Sequence, residues 1–127
     1  MGYFVIRAVA SGIKFDLKAS NGQTVATSEV YRTRSACLRG ILSVQKNAPQ
    51  APVADLTVAP EPTCSNPRFE LYRDKHGAYR FRLKARNGSI IAVSEDYSTH
   101  TACENGIESV RKNGVSGEIL EFSQEKF

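Results

Sequence analysis

Residues Phe15–Asn47 read FDLKASNGQTVATSEVYRTRSACLRGILSVQKN, and residues Phe81–Asn113 read FRLKARNGSIIAVSEDYSTHTACENGIESVRKN. The two stretches align at an offset of 66 without a gap, and 19 of the 33 aligned pairs are identical. Such an internal copy is typical of a chain built from structural repeats. We therefore expect two similar units within the 127 residues.

Each repeat begins with three predicted β-strands, in which apolar and polar side chains alternate as they do in strands with one buried face. In the first repeat these strands are residues 3–9, 13–19 and 24–28. The second repeat has the same pattern, starting near Phe69. Short connections between the strands predict an antiparallel meander in each repeat.

A helix follows the third strand. Thr33 (or Ser35) is the expected N-cap of the first helix, and Thr99 is the expected N-cap of the second. One apolar stripe runs along each helix, formed by Cys37, Gly40, Ile41 and Val44 and by Cys103, Gly106, Ile107 and Val110. Glycine costs about 1 kcal/mol of helix propensity relative to alanine. We therefore expect the helices to approach the sheet closely at Gly40 and Gly106.

Asparagine residues mark the predicted turns. Asn21-Gly22 and its copy Asn87-Gly88 predict two-residue type I′ hairpin turns, in which both residues have positive φ. Asn47 is the expected left-handed C-cap of the first helix.

The predicted fold class is α+β, with two tandem β(3)-α-β repeats in a single compact domain. Short alternating segments after the helices, Pro52–Val58 and Gly117–Phe122, supply the fourth strands. The expected organisation is a first repeat at residues 1–58, a linker at 59–67, a second repeat at 68–122 and a tail at 123–127. One repeat is too small to bury an adequate core. We therefore expect the two to pack around a pseudo-twofold axis, as an antiparallel sheet with helices on it.

The paired patterns Phe-x-Leu-Lys-Ala-x-Asn-Gly, Ser-Glu-x-Tyr and Gly-Ile-x-Ser-Val-x-x-Asn resemble the YegP-like family of small bacterial proteins of unknown function. The resemblance covers residues 3–58 and 68–122. It implies that the last strand of each repeat is exchanged into the sheet of the other repeat. It also implies that a tandem chain is a monomer. The family brings no established activity, substrate or cofactor.

Composition points to an ordinary soluble protein. Hydrophobic residues make up 41% of the chain and charged residues 24%, and the net charge is +4. No apolar run approaches the roughly 20 residues of a membrane span. The N-terminal stretch lacks the features of a signal peptide. We therefore expect a cytoplasmic location and no contact with a membrane.

The sequence offers little for catalysis, so we expect no enzyme, metal or cofactor. Cys37 and Cys103 are predicted to be buried, whereas Cys64 is predicted to be an exposed thiol in the linker. His76 and His100 stand alone, with no counterpart in the other repeat, and are interpreted as surface residues.

The best binding candidates lie on one strand. Arg80, Arg82, Lys84 and Arg86 alternate with apolar residues, so we expect four cations on one side of it. Lys18 belongs to the weaker counterpart of this stripe. A basic stripe can follow a phosphate backbone. More often it is a solvated face, and acidic residues of the neighbouring strand can neutralise it.

Tyr31 and Tyr97 precede the helices at equivalent positions. Packing over the helix entry is the simpler interpretation, and stacking on a ligand is the alternative.

The functional prediction is a non-catalytic module that binds an unknown protein or small ligand. The alternative is weak nucleic-acid binding through the basic strand.

Overall fold

The computed structural model describes residues 2–60 and 62–121. In chain order the elements are β1 (Tyr3–Val9), β2 (Gly12–Lys18), β3 (Thr24–Thr27), α1 (Arg34–Asn47), β4 (Val53–Asp55), β5 (Arg68–Arg73), β6 (Tyr79–Lys84), β7 (Ile90–Val93), α2 (His100–Asn113) and β8 (Ile119–Glu121). The β(3)-α-β order predicted for each repeat is confirmed. The fourth strands are shorter than predicted, and Phe122 lies outside the described residues.

All eight strands form one sheet, in the order β4-β5-β6-β7-β3-β2-β1-β8. The strands β5 to β8 of the second repeat are the copies of β1 to β4 of the first. With each strand matched to its copy, the order read from β4 is the same as the order read from β8. At the centre β3 pairs with β7 antiparallel, through Thr27 and Val93. At the edges β4 pairs with β5 and β8 pairs with β1, both parallel. The predicted exchange of the last strands between the repeats is confirmed.

Both helices contribute to a single hydrophobic core with one face of this sheet. Four phenylalanines, one from each long strand, are fully buried there: Phe4, Phe15, Phe69 and Phe81. Cys37 and Cys103 lie in the same core, and burial raises the pKa of each thiol to about 11. The linker thiol of Cys64 is half-buried rather than exposed. Among the described residues, neither helix is long and apolar enough to cross a membrane.

The hairpin turns differ from the predicted type. Positive φ occurs at Gly22 and Gly88, but at no described residue other than glycine, so Asn21 and Asn87 do not adopt it. In the first hairpin, the amide of Gly22 donates to the Ala19 carbonyl. This is a three-residue turn with a glycine bulge. The type I′ prediction was therefore wrong, although the turn lies where it was expected.

The helix starts were predicted correctly, and one helix end was not. The hydroxyl of Thr33 accepts a hydrogen bond from the amide of Ala36, and the hydroxyl of Thr99 accepts one from Ala102. Asn47 is the last residue of α1 and donates from its amide to the Ser43 hydroxyl. The cap that follows is right-handed, so the prediction of a left-handed Asn47 was wrong.

A tyrosine explains the glycine on each helix. The ring of Tyr31 stacks on Phe15 with an interplanar angle of 14°, and its hydroxyl lies over Gly40. Tyr97 does the same with Phe81 and Gly106, at 20°. Close approach at the glycines was correctly expected, but the nearest atoms belong to the tyrosine rather than to the sheet.

Each exchanged strand is joined to a helix start by an acid–base contact. His100, the first residue of α2, hydrogen-bonds through Nε2 to the Asp55 carboxylate at 2.8 Å. At the equivalent positions, Arg34 of α1 contacts Glu121 of β8 at 2.7 Å. His100 therefore has a basic counterpart in the first repeat, and interpreting it as a lone surface residue was wrong.

Replacing Gly40 by alanine should destabilise the fold by about 1–3 kcal/mol, because it overfills a packed site. The new Cβ would lie 2.2 Å from the Tyr31 hydroxyl and 2.7 Å from its ring. Urea denaturation of Gly40→Ala measures the effect. Gly117→Ala is the control, because no atom lies within 4 Å of its Cβ position. Equal stability of both variants would contradict this packing.

The contact between His100 and Asp55 should make stability depend on pH. The hydrogen bond to Asp55 raises the pKa of His100 above its ordinary 6.5. Protonated His100 therefore stabilises the fold fully below about pH 6.5, and this contribution is lost as the pH rises through the folded-state pKa. Burial opposes ionisation of Asp55, but its hydrogen bonds to Thr57 and His100 lower its pKa overall. The stabilisation by the His100–Asp55 pair is therefore also lost in acid, when Asp55 becomes protonated.

Urea denaturation of the wild type, His100→Gln and His100→Arg tests this. We expect the wild type to exceed His100→Gln by about 0.5 kcal/mol near pH 5.5 and by less near pH 9, a small value because the pair is partly exposed. His100→Arg copies Arg34 and should keep its advantage over His100→Gln at both pH values. If the difference between the wild type and His100→Gln does not change with pH, the assignment is contradicted.

Candidate functional site

The sheet face that points away from the helices can be traced residue by residue. Directly paired residues of neighbouring strands point to the same face. One row of pairs crosses all eight strands through Ala54, Glu70, Arg82, Val93, Thr27, Asp16, Val5 and Leu120. All eight residues lie outside the core that the helices share. This row therefore marks the face opposite the helices.

This face carries most of the net positive charge of the chain. Its strand residues include seven cations: Arg7, Lys14, Lys18, Arg68, Arg80, Arg82 and Lys84. Against them stand two carboxylates of the described strands, Asp16 and Glu70. Asp74 and Asp96 lie just beyond the strand ends and pair with Arg80 at 3.9 Å and 3.1 Å. Seven cations less these four carboxylates leave +3 on this face, and the whole chain carries +4. We call this surface the basic face.

Glu70 is the centre of a cation cluster. Its side chain is 2% exposed and lies beneath three cations that are each about a quarter exposed. Arg82 donates through Nε to Oε1 at 2.7 Å, and Arg68 donates through Nη2 to Oε2 at 2.6 Å. The Nζ of Lys84 lies 3.4 Å from Oε2. One carboxylate thus holds three cations, which leaves an excess of two positive charges.

The cluster keeps Glu70 ionised. Burial alone favours the neutral acid, but the hydrogen bonds from Arg82 and Arg68, with the charge of Lys84, lower the pKa of Glu70 below its ordinary value. The guanidinium of Arg82 also lies 4.5 Å from the centroid of the Tyr72 ring. Because these contacts fix the long side chains, less conformational entropy remains to be lost when an anion binds.

A smaller cluster occupies the first repeat. Arg7 donates through Nε to Asp16 at 2.7 Å, and the hydroxyl of Thr27 donates to the same carboxylate. Lys18 donates to the hydroxyl of Thr24 at 2.8 Å. Burial alone would raise the pKa of Asp16. The hydrogen bonds from Arg7 and Thr27, with the charges of Arg7 and Lys18, lower this pKa below its ordinary value.

The predicted stripe has three cations rather than four. Arg82 and Lys84 lie on the basic face with Arg80, whose guanidinium contacts Asp96 at 3.1 Å and the Ser94 carbonyl at 2.9 Å. Arg86 is different, because β6 ends at Lys84 and Arg86 is exposed beyond it. The expectation that Arg86 shares this face was wrong.

Arg86 and Tyr31 instead line a groove between α1 and the β6–β7 hairpin, with a volume of about 740 Å³. Tyr97 stacks on Phe81 as Tyr31 stacks on Phe15, but it is not among the residues that line the smaller equivalent groove at α2. The structure therefore divides the predicted binding residues between two surfaces. Lys18 belongs to the basic face, with the three cations of β6.

Two parts of this arrangement were missed in the sequence. Arg68 was not named as a candidate, although it alternates with Phe69 in the same way as the cations of β6. The contact between His100 and Asp55 was also missed. The alignment at offset 66 contained the signal, because it pairs His100 with Arg34 and Asp55 with Glu121.

The comparisons with known proteins agree with the repeat structure. The family described as "Domain of unknown function (DUF1508)" matches residues 9–55 and 74–121, which is most of each repeat. The chain belongs to the DUF1508 family. Its description names no activity, so the family establishes the architecture and not the function.

Individual relatives in this family are similar over nearly the whole chain. The UPF0339 protein YegP of Yersinia pestis is 37% identical over 124 residues, which is 97% of each chain. The solution NMR structure of yegP from E. coli superimposes with a TM-score of 0.78 at 34% identity, covering 94% of this chain and 91% of that one. The solution NMR structure of the UPF0339 protein SO3888 from Shewanella oneidensis superimposes with a TM-score of 0.80 at 33% identity, covering 98% of this chain and 94% of that one.

Removing the charge of Glu70 should destabilise the protein at neutral pH. Glu70→Gln should lower the free energy of unfolding by about 1–2 kcal/mol at pH 7, because three cations lose their shared carboxylate. The folded-state pKa of Glu70 lies below its ordinary 4.5. The contribution is therefore present above that value and is lost as the pH falls through the folded-state pKa.

Urea denaturation of wild type and Glu70→Gln near pH 7 and near pH 3 measures this, and the difference should shrink in acid. Glu29→Gln is the control, because Glu29 is exposed. If the loss caused by Glu70→Gln is the same at both pH values, the charge of Glu70 does not hold the cluster together.

Proposed function

We propose that this chain is a non-catalytic, monomeric module that binds single-stranded nucleic acid on its basic face. The observation that carries the proposal is the excess charge of +3 on a sheet face opposite both helices, where seven cations meet four carboxylates. The sequence alone favoured a protein or small ligand. The concentration of charge on one face is the reason for placing nucleic acid first.

The two cation clusters suit a phosphate backbone. One lies on β5 and β6 around Glu70, and the other lies on β1 and β2 around Asp16. Strands β7 and β3 separate them, so β6 and β2 are about 14 Å apart at the usual spacing of strands. The side chains of β3 and β7 on this face are half-buried: Thr24, Thr27, Ile90 and Val93. A bound strand can cross this strip and place phosphates on both clusters.

The shape of the face favours a single strand over a duplex. Eight strands span roughly 34 Å, whereas the major groove of B-DNA is about 12 Å wide, so the sheet cannot enter it. Two half-buried tyrosines lie on the same face, Tyr3 opposite Lys18 and Tyr72 opposite Arg80. Aromatic rings beside cations are the usual platform for unpaired bases.

The nucleophiles and bases of the chain support a non-catalytic role. The thiols of Cys37 and Cys103 are buried with pKa values of about 11, so they are protonated at neutral pH. His76 is exposed in the β5–β6 turn, and His100 is bound to Asp55. Neither histidine lies in the groove beside α1.

Fluorescence anisotropy with labelled oligodeoxythymidylate and oligouridylate of about 12 nucleotides tests the proposal at low salt. Lys14→Glu removes a cation of the basic face that has no carboxylate partner among the described residues. It should lower the affinity about threefold to tenfold and reduce the salt slope by about 0.7 for each phosphate that is no longer neutralised. Lys112→Glu makes the same charge change on an exposed position of α2 and should have a smaller effect.

Two results would overturn the proposal. One is the absence of binding to both oligonucleotides at low salt. The other is an equal loss of affinity in Lys14→Glu and Lys112→Glu, because binding would then follow net charge and not this face. A preference between the two oligonucleotides would identify RNA or DNA as the partner.

A further inference from the structure

The groove beside α1 is built from both repeats. One wall is α1, from the first repeat, and the other is the β6–β7 hairpin, from the second. Its volume of about 740 Å³ lies within the range of small-molecule sites. The groove is on the helix side of the sheet, away from the basic face, so it is a separate surface.

The lining combines an apolar floor with a basic rim. Tyr31 and Ile91 lie along it, and Leu42 is 61% exposed at its edge. Three exposed cations, Arg39, Lys46 and Arg86, line the same groove. Within residues 2–60 and 62–121 these three form no ion pair with a carboxylate. Glu29 is the one acidic residue in the lining.

The other repeat supplies a natural comparison. A groove lies at the equivalent place between α2 and the β2–β3 hairpin, and all seven of its lining residues are offset by 66 from residues of the first groove. Its volume is smaller, about 350 Å³. Asn105 replaces Arg39, Glu108 replaces Leu42, and Ser20 replaces Arg86. The backbone scaffold is shared, whereas the exposed apolar side chain and two of the three cations occur on one side only.

We infer that the groove beside α1 binds a small organic anion, with an apolar body on Tyr31, Leu42 and Ile91 and a carboxylate or sulfonate at Arg39 and Arg86. Charge complementarity selects this occupant, because three cations surround an apolar floor with a single acid. A neutral apolar ligand would leave these cations unused, and a simple inorganic anion would leave the floor exposed to water. The counterpart groove, with one cation and one acid, should not bind such a ligand.

The probe is anilinonaphthalene sulfonate, whose fluorescence rises in apolar surroundings, and phenylnaphthylamine is the same body without the charge. The wild type should bind the sulfonate at one site and more tightly than the neutral probe. The variant Arg39→Asn/Leu42→Glu/Arg86→Ser takes its residues from the counterpart groove, where the same backbone tolerates them. It should bind the sulfonate at least about tenfold more weakly.

Partial variants separate charge from packing. Arg39→Asn/Arg86→Ser should weaken binding of the sulfonate and leave that of phenylnaphthylamine unchanged, whereas Leu42→Glu should weaken both. The reciprocal variant Asn105→Arg/Glu108→Leu/Ser20→Arg should create a second site for the sulfonate. Amide chemical shifts in the wild type should move along α1 and residues 85–91, and not along α2.

Unchanged binding in the triple variant would overturn the inference, as would shift changes centred on α2 or on the basic face. A urea denaturation curve like that of the wild type shows that the triple variant is folded. The basic face is tested separately, because Lys14→Glu should leave the affinity for the sulfonate unchanged. Failure of one proposal therefore does not imply failure of the other.

Discussion

The exchange of β4 and β8 between the repeats is the constraint on which the rest of the structure depends. A three-stranded meander with one helix has two open edges and a single apolar face, which is too little for a stable core. Each repeat instead gives its last strand to the other half, and the third strands join at the centre. The helices can then share one continuous core, in which two phenylalanines from each half are fully buried. Neither half has a complete sheet or core of its own.

Features that depend on local chemistry were predictable from the sequence. The alternation in β1, β2, β5 and β6 identified the strands, and the hydroxyls of Thr33 and Thr99 identified the helix starts, because each acts within one turn of its own chain. The turn type was not predictable from Asn21-Gly22 alone. Asparagine tolerates both signs of φ, so the same pair suits a two-residue turn or a three-residue turn with a bulge. The prediction of a left-handed Asn47 also failed, because asparagine fits the helix as well and its side chain donates to the Ser43 hydroxyl one turn earlier.

The candidate surfaces were predictable only in part, because both are assembled from segments that are distant in the sequence. Alternation placed Arg82 and Lys84 on one face, but their attachment to Glu70 depends on the register between β5 and β6. The groove is harder still. It joins a helix of the first repeat to a hairpin of the second, so no pattern within one repeat contains it. Arg86 is an example. Its position continues the alternation of Arg80, Arg82 and Lys84, but β6 ends two residues earlier, at Lys84.

The parallel edge pairs have a consequence for how the chain is connected. The parallel pair of β4 and β5 is equivalent to the parallel pair of β8 and β1. The gap from the end of β4 at Asp55 to the start of β5 at Arg68 therefore corresponds to the gap from the end of β8 at Glu121 to the start of β1 at Tyr3. Residues 56–67 bridge the first of these gaps. A similar segment could bridge the second, so a circularly permuted chain opened within the linker would keep every strand pairing and every helix contact. Which repeat is translated first is therefore not dictated by the architecture.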